Sequence, residues 1–264
     1  PRTPASRGGA GTRMPGPSSR GSPRWHSVGV GRTSAPFLVA RFAVLPIADV
    51  VVDDVWHTSG MRATGSDDVR VEGVFVPDHR TLLAEDLLEC GPVTAGDGLA
   101  HLPVMAVLAL MAAAPAVGAA ERAVAEYEER LRSRVLAYSF GDKAAEQPAA
   151  QVRLGTALAD VRAARAALDG GVAVLGGIAT SADPMADRMA VRLAAADAVR
   201  RSVAVISAVC AGAGASVYKA DAPLQRLQRD VEVLKGHVIF DWDRTTELAG
   251  RVVLGLSLRP ADRL

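Results

Sequence analysis

Residues 220–256 contain the pattern that most restricts how this chain can fold. Asp221 can cap a helix, and Pro223 suits a first helical turn. Aliphatic residues then recur at the a and d positions of a heptad, which is the buried seam of a bundle helix: Leu224, Leu227, Val231, Leu234 and Val238. The pattern predicts a helix that packs against several others.

The same helix carries a polar stripe. At about 100° per residue, Arg226, Asp230 and His237 project within about 40° of one another. Arg226 and Asp230 are four residues apart and can form an ion pair. Gly236 precedes the histidine and can loosen the helix there. Two interpretations remain open: a surface ion pair beside a structural histidine, or a histidine held in a functional pocket.

The region before this helix is also predicted to be helical. Residues 103–120 carry no charge, but Ala and Gly supply most of the run and Pro115 interrupts it. We therefore interpret the run as the buried half of one long helix and not as a membrane span. A break at residues 138–142 precedes a second helix, predicted over about residues 148–168 and weakened beyond them by glycines. Asp183–Pro184 begins a third long helix.

A last helix is predicted to begin near Asp241 or Asp243 and to carry three aliphatic residues inward: Leu248, Val252 and Leu256. Together the patterns predict a mainly α chain with an antiparallel bundle of four or five helices over residues 103–258. Small residues throughout imply close helix–helix contact. Alanine-lined helices with a charge-free run also predict a homo-oligomer, a dimer or tetramer, formed through the helical domain.

The residues before the bundle fall into three parts. Residues 1–35 are dense in Pro, Gly, Ser and Arg without an apolar period, which predicts a disordered leader. Residues 36–80 show short strand patterns around a loop rich in Gly, Thr and Ser, and the alternation slips at Gly73, which suggests a bulge. They predict a partial β-domain. Residues 81–102 are predicted to be a linker.

Composition and spacing exclude several functional classes. A formal net charge of +1 leaves no footprint for nucleic acid, and no signal-peptide core is identified. Cys90 and Cys210 are isolated thiols without metal-ligand spacing, which favours a reducing cytoplasm. The sequence has no E-x-x-H, H-E-x-x-H or G-x-S-x-G motif, and the G-A-G-A run at residues 212–215 does not follow a strand as a dinucleotide fingerprint would. No metal site is predicted.

Two segments resemble a known protein family. The run PLQRLQRD, the lone His237 and the run ELAGRVVLG are similar to the C-terminal end of the acyl-CoA dehydrogenase superfamily. The earlier run from Trp56 through GMRATGS to VFVP resembles the end of that superfamily's central β-domain. Common acyl-CoA dehydrogenases carry a catalytic glutamate in an EGT-like turn, and HVIFDWDRT stands there instead. The chain therefore most resembles the reduced-flavin-dependent, two-component (group D) monooxygenases of the superfamily.

The resemblance covers about residues 36–258. It implies an acyl-CoA dehydrogenase-like fold in which the family's N-terminal helical domain and the first half of its β-barrel are missing, so that the sequence is expected to be truncated. Those elements form part of the wall of the family's flavin and substrate pocket. We therefore expect the chain alone to bind flavin poorly.

The resemblance also implies site residues. Trp56, Thr64 and Ser66 match the face that holds the flavin, where the hydroxyls would donate hydrogen bonds and the indole would pack near the ring. Turn residues and a core aromatic are the alternative interpretation. His237 matches a histidine that lines the substrate pocket and acts as an acid/base or orienting group, for which a pKa near the working pH is suited.

A phosphate contact is implied further along the chain. In the family, an arginine before an FG turn contacts the flavin phosphate or diphosphate of a neighbouring subunit. Arg134, before Phe140–Gly141, is the nearest match, although its spacing to the turn is longer and Arg132 is an alternative. Gln147–Pro148 occupies the place of the family's glutamine or His-Pro. Arg134 and Phe140 are the predicted cofactor-binding residues of this region.

The implied activity is that of an oxygenase component that hydroxylates a small organic substrate through a C4a-hydroperoxyflavin. A separate flavin reductase would supply reduced FMN or FAD. Nucleic-acid and membrane partners are not expected. Two alternatives remain open: an FAD-containing acyl-CoA dehydrogenase-like enzyme, against which the absent EGT glutamate argues, and an inactive helical interaction module. The substrate is not identified.

Overall fold

The structure, a computed structural model, describes residues 41–84, 102–137, 139–259 and 262. The predicted leader over residues 1–35 and most of the predicted linker lie outside these residues. Five helices are described: α1 Val104–Ser133, α2 Pro148–Gly177, α3 Pro184–Ala213, α4 Pro223–Leu234 and α5 Trp242–Val253. The mainly α architecture predicted from the sequence is confirmed.

Helix α3 lies at the centre of the bundle. It packs against each of the other four helices, and its pairings with α1 and α2 are the most extensive. The side chains between these helices are small, and Ala113, Ala164 and Ala195 are fully buried. Small side chains let helix axes approach closely, so a few aliphatic residues can fill the remaining core. The predicted close helix–helix contact is therefore present.

Helix α2 is longer than the sequence predicts. It continues past Leu168 through a pair of glycines to Gly177. A Cβ atom at Gly171 would lie 2.8 Å from Leu110 Cδ2 and 3.1 Å from Ala194 Cβ. Three helices thus meet at a position where only hydrogen fits, and packing overrides the low helix propensity of glycine.

Most helix starts follow their sequence signals. The Asp183 carboxylate accepts a hydrogen bond from Ala186 N at 3.0 Å at the start of α3, and the Asp241 carboxylate accepts one from Arg244 N at 2.9 Å at the start of α5. The prediction that Asp221 caps α4 is wrong, because Ala222 occupies the cap position and Pro223 the first turn.

Leu256 does not face inward as predicted. Helix α5 ends at Val253, and Gly255 adopts a left-handed φ of +66° just beyond it. The chain leaves the helical path there, so Leu256 is 51% exposed, whereas Leu248 in the middle of α5 is fully buried. Only the two helical members of the predicted stripe remain on the helix.

Helix α1 is the one described helix whose length and composition would allow it to cross a membrane. Pro115 lies within it without ending it. Its fully buried residues include Val117, Ala120 and Tyr127, and these pack in the core formed with the other helices. This pattern is that of a core helix in a bundle.

Four short strands precede the bundle: β1 Arg41–Ala43, β2 Val51–Asp53, β3 Asp68–Arg70 and β4 Thr81–Leu83. They form two antiparallel pairs, β1 with β4 and β2 with β3. Strand β4 lies inside the predicted linker, where its backbone pairs with β1. No bulge interrupts β3. The strand ends at Arg70, and Gly73 forms a bend beyond it with φ of +64°.

Candidate functional site

The GMRATGS loop is fastened to helix α4. Met61 N donates a hydrogen bond of 2.7 Å to the Asp230 carboxylate, and an Arg229 guanidinium nitrogen donates one of 3.2 Å to Ser59 O. Gly60 is buried against the same helix. A side chain would not fit there, because a Cβ would lie 2.0 Å from Arg229 O. The two segments that carry the family resemblance therefore contact each other directly.

Met61 holds a left-handed backbone conformation, with φ of 48°. Its carbonyl oxygen accepts three hydrogen bonds: from Trp56 Nε1 at 2.8 Å, Thr64 Oγ1 at 2.8 Å and Thr64 N at 3.2 Å. A left-handed non-glycine residue costs about 1–2 kcal/mol, so such contacts are needed to hold it. Two of the predicted flavin contacts, Trp56 and Thr64, thus shape this loop.

Ser66 is exposed beside the same loop. Its hydroxyl makes no hydrogen bond with any residue that the structure describes, in contrast to that of Thr64. Ser66 is therefore the predicted loop hydroxyl that stays available to a ligand.

The predicted ion pair between Arg226 and Asp230 is not formed among the described residues. Asp230 instead accepts the Met61 amide. The loop, α1 and α4 enclose a pocket of about 320 Å³, which is lined by Met61, Asp230 and mainly apolar side chains such as Leu227 and Leu234. Sequence periodicity could not find this partner, because Met61 lies far away along the chain.

His237 lies in a short loop between α4 and α5. Helix α4 ends at Leu234, so the predicted helical stripe that joined Arg226, Asp230 and His237 does not extend to the histidine. The His237 ring is exposed, and its Nδ1 accepts a hydrogen bond of 3.2 Å from Ile239 N. A neutral imidazole whose Nδ1 accepts carries its proton on Nε2. The ring therefore has an Nε2–H donor free to contact a ligand.

Arg134 lies where α1 ends, and its guanidinium Nη1 donates a hydrogen bond of 2.6 Å to Ala213 O at the C-terminal end of α3. The alternative, Arg132, is exposed and pairs with Glu128 at 2.6 Å. Phe140 is fully exposed and does not line the pocket that Arg134 lines. The structure therefore places Arg134, and not Arg132, at a concave surface.

That surface is a pocket of about 160 Å³ between α1, α2 and the end of α3. Three arginines line it, Arg130, Arg134 and Arg153, together with Gln147, and the described lining includes no acidic side chain. We call it the arginine pocket. Such a set of guanidinium donors suits a phosphate or carboxylate.

Two polar groups of the arginine pocket have no hydrogen-bond or ion-pair partner among the residues that the structure describes. Arg153 makes no hydrogen bond or ion pair with the residues that the structure describes. The hydroxyl of Tyr127, a fully buried residue, likewise has no hydrogen-bond partner among them. Because a buried hydroxyl left unpaired costs about 1–3 kcal/mol, such groups commonly mark a place for a ligand or water.

Two glycines make room for these arginines. A Cβ at Gly212 would lie 2.4 Å from Arg153 Cδ, and one at Gly214 would lie 2.5 Å from Arg134 Nη1. Gly214 also has a φ of +82°, which favours glycine. The glycines at residues 212 and 214, which fail as a dinucleotide fingerprint, thus permit the arginine pocket.

Sequence reasoning missed Arg153 and Tyr127. Both lie within ordinary helical patterns, and only the glycine spacing after α3 hints at bulky neighbours. Burial raises the pKa of the Cys210 thiol, which makes it an inert core side chain. In the part of the chain that the structure describes, no group of three or more His, Cys, Asp or Glu residues could hold a metal ion.

Comparisons with known proteins identify the family of the chain. The family model described as "Acyl-CoA dehydrogenase, C-terminal domain" matches residues 110–242. A pigment production hydroxylase of Rhodococcus sp. is 33% identical over 81% of this chain and 56% of its own length. The HsaA oxygenase subunit of a flavin-dependent monooxygenase from Rhodococcus jostii is 31% identical over 81% of this chain and 58% of its own.

A solved structure shares the fold. XiaF from Streptomyces sp., in complex with FADH2 and glycerol, is 25% identical with a TM-score of 0.76, over 86% of this chain and 58% of that one. The chain thus spans little more than half the length of the relatives it matches. Its relatives include oxygenase components of two-component flavin-dependent monooxygenases. The chain belongs to the acyl-CoA dehydrogenase C-terminal domain family.

Proposed function

We propose that the protein acts as the oxygenase component of a two-component flavin-dependent monooxygenase. The arginine pocket carries the proposal, because guanidinium groups without acidic neighbours suit the phosphate end of a flavin. Relatives named as oxygenase subunits support the same activity. The cofactor would be reduced FMN or FAD, which supplies the electrons needed to activate O2.

Arg134 and Arg153 would hold the phosphate. Arg134 uses one nitrogen for Ala213 O, and its other donors remain to contact an anion. Arg153 has all its donors available among the described residues, and the Tyr127 hydroxyl could complete the set. Phe140, fully exposed beside the glycine turn, stays a predicted flavin contact.

His237 would act on the substrate. Its Nε2–H can donate a hydrogen bond to a substrate oxygen, and an imidazole can serve as a general acid or base. Of the loop residues, Ser66 would contact the flavin directly, while Trp56 and Thr64 would hold the loop in shape. The substrate would be a small organic molecule.

The partners follow from this activity. A flavin reductase would deliver the reduced flavin. Exposed aliphatic side chains on α1 and α2 support the predicted homo-oligomer, a dimer or tetramer: Leu108, Met111, Val152 and Val172 are each about half or more exposed. The unpaired thiol of Cys210 is consistent with a reducing cytoplasm.

Flavin binding tests the proposal. Purified protein is titrated anaerobically with FMNH2 and FADH2, and then with the oxidised flavins, with binding followed by fluorescence anisotropy. We expect reduced flavin to bind more tightly than oxidised flavin, and Arg153→Gln to weaken binding while Arg132→Gln leaves it unchanged. Tightly held oxidised FAD that an acyl-CoA thioester bleaches would indicate a dehydrogenase. Because this chain is expected to bind flavin weakly, the titration extends to about millimolar flavin, and no binding of either form even there would indicate an interaction module.

A further inference from the structure

The peptide group between Val238 and Ile239 joins His237 to a buried arginine. Its N–H donates the 3.2 Å hydrogen bond to His237 Nδ1, and its C=O accepts a hydrogen bond from Arg192 Nη2 at 3.4 Å. Both contacts therefore belong to one planar unit, whose two ends cannot rotate independently. The position of the guanidinium and the orientation of the imidazole are mechanically linked.

The next peptide group is held in the same way. Arg192 Nε donates to Thr245 Oγ1 at 3.4 Å, and Thr245 Oγ1 donates to Ile239 O at 3.5 Å. Thr245 is fully buried and Arg192 is 7% exposed. Phe240 N also donates to His237 O at 2.8 Å. Helices α3 and α5 thus both fasten the loop that carries the histidine.

Burying a guanidinium in this place is unfavourable in itself. Desolvation, with a smaller contribution from the nearby Arg244, lowers the pKa of Arg192, while the carboxylates of Asp262 and Asp241 oppose the change. An arginine nevertheless stays charged in a protein. A stable loop alone could be built with apolar side chains at lower desolvation cost.

We propose that Arg192 is a positioning residue that fixes the orientation and the tautomer of His237 through the 238–239 peptide group. A cation that donates to the carbonyl withdraws electron density and makes the N–H of the same peptide a stronger donor. A stronger donor at Nδ1 favours the imidazole tautomer with its proton on Nε2. The consequence for catalysis rests on the proposed function, whereas the effect on the tautomer does not.

Imidazole nitrogen NMR tests the effect on the chain itself. Uniformly 15N-labelled protein gives two-bond proton–nitrogen correlations for each histidine, and His237→Gln identifies the His237 signals. In the unmodified protein we expect His237 to show an acceptor Nδ1 and a protonated Nε2 near pH 8. In Arg192→Gln the ratio of the two tautomers should fall by about fivefold, as expected for a weakened hydrogen bond.

Two further variants keep the test decisive. Thr245→Val removes one contact of Arg192 without removing its charge, and it should move the ratio in the same direction by a smaller factor; it serves if Arg192→Gln does not fold. Arg200→Gln is the matched control, because Arg200 also lies on α3 but pairs with Asp197 and stacks on Trp242. A folded Arg192→Gln variant with an unchanged His237 tautomer ratio overturns the proposal.

Turnover then connects the tautomer to catalysis. Once a substrate is known, Arg192→Gln should lower kcat with little change in KM and release more hydrogen peroxide per flavin oxidised, while Arg192→Lys, which retains a donor, should recover part of the loss. If the tautomer changes and product formation does not, His237 is not catalytic and the proposed role of the histidine fails. If product formation falls without a change in tautomer, Arg192 does not act through His237.

Discussion

The two ends of helix α3 use arginine in opposite ways. Near its N-terminal end, Arg192 points its donors at the Thr245 hydroxyl and the Val238 carbonyl. At its C-terminal end, roughly 30 Å away along the helix, Arg134 gives one donor to Ala213 O. Arg153, which pairs with none of the described residues, lines the same pocket. At the N-terminal end, the guanidinium donates to groups of the protein itself. At the C-terminal end, guanidinium donors remain available to a ligand.

This difference separates positioning from binding. A buried guanidinium that donates to backbone and hydroxyl oxygens orders the chain around it. A guanidinium in a pocket without acidic neighbours has charge that nothing in the described chain neutralises, so a mobile anion can enter. If the distinction holds, substitutions at the first end should change stability, and those at the second end should change ligand binding.

The largest expected effect comes from Arg192→Met. It leaves the Val238 carbonyl oxygen and the buried Thr245 hydroxyl without their donor, which should lower the free energy of unfolding by about 3 kcal/mol. Urea denaturation measures the loss. Arg200→Met, on the same helix but at the surface, should cost less than about 1 kcal/mol. Equal losses in the two variants would remove the special status of the N-terminal end.

Gly214→Ala should have the next largest effect and should lower both the free energy of unfolding and the affinity for anions. A side chain at φ of +82° is strained, and its Cβ would lie 2.5 Å from Arg134 Nη1. We expect a loss of about 1–2 kcal/mol in thermal or urea unfolding, together with weaker anion binding because Arg134 must move. Gly118→Ala, where a Cβ meets no neighbour, is the control. Unchanged phosphate affinity in Gly214→Ala would contradict the role of this glycine.

Arg153→Gln should separate binding from stability. We expect binding of FMN or inorganic phosphate, measured by calorimetry, to weaken by about tenfold, because a charge-assisted hydrogen bond is lost. The free energy of unfolding should change by less than about 0.5 kcal/mol. Arg132→Gln, which alters an exposed pair with Glu128, should change neither quantity. A loss of stability in Arg153→Gln without any loss of binding would show that the C-terminal end of α3 has a structural role and not a binding role.

Acid should lower the free energy of unfolding by a small amount through Asp262, whose carboxylate interacts with Arg192 near the N-terminal end of α3. The Arg259 amide that donates to the Asp262 carboxylate, together with the guanidinium of Arg259, holds the pKa of Asp262 below its ordinary value of 3.8. The folded protein therefore binds this proton less readily than the unfolded chain, so the stabilisation is complete above pH 3.8 and is lost as the pH falls below it. In Asp262→Asn, the free energy of unfolding should depend less on pH between about pH 4.5 and 3. An identical acid slope in both proteins would exclude Asp262 as the cause.

Periodicity and end signals predicted the bundle because they act locally. The a/d seam of α4 holds from Leu224 to Leu234, whereas Val238, its predicted last member, lies beyond the helix and is exposed. The Asp183–Pro184 start of α3 and the Asp241 cap of α5 depend on residues within one turn of each other. The length of α2 was missed because Gly171 packs closely against Leu110 and Ala194, which lie on other helices. A glycine that is required by packing looks, in the sequence alone, like one that ends a helix.

The site was less predictable, since its contacts join distant parts of the chain. Family resemblance predicted Arg134 and His237 as site residues, and this stays a prediction. Arg134 lies at a concave surface and His237 in a short loop. It did not point to Arg153, Tyr127 or Arg192. The proposed roles of Arg153 and Tyr127 depend on a pocket between three helices, and that of Arg192 depends on the peptide group between Val238 and Ile239. The polar stripe also misassigned Asp230, because the partner that Asp230 binds lies in the loop after β2.

The contact between Met61 and Asp230 has a consequence for how the molecule assembles. It joins residues 169 positions apart, whereas the helices on which it rests are built largely from local contacts. Local structure forms faster than long-range closure, so the bundle should fold first and the loop should clip onto α4 at the end. Until it does, only the local hydrogen bonds from Trp56 and Thr64 to the Met61 carbonyl offset its left-handed backbone. The exchange rate of the Met61 amide hydrogen in the folded protein therefore reports how often the loop detaches from α4.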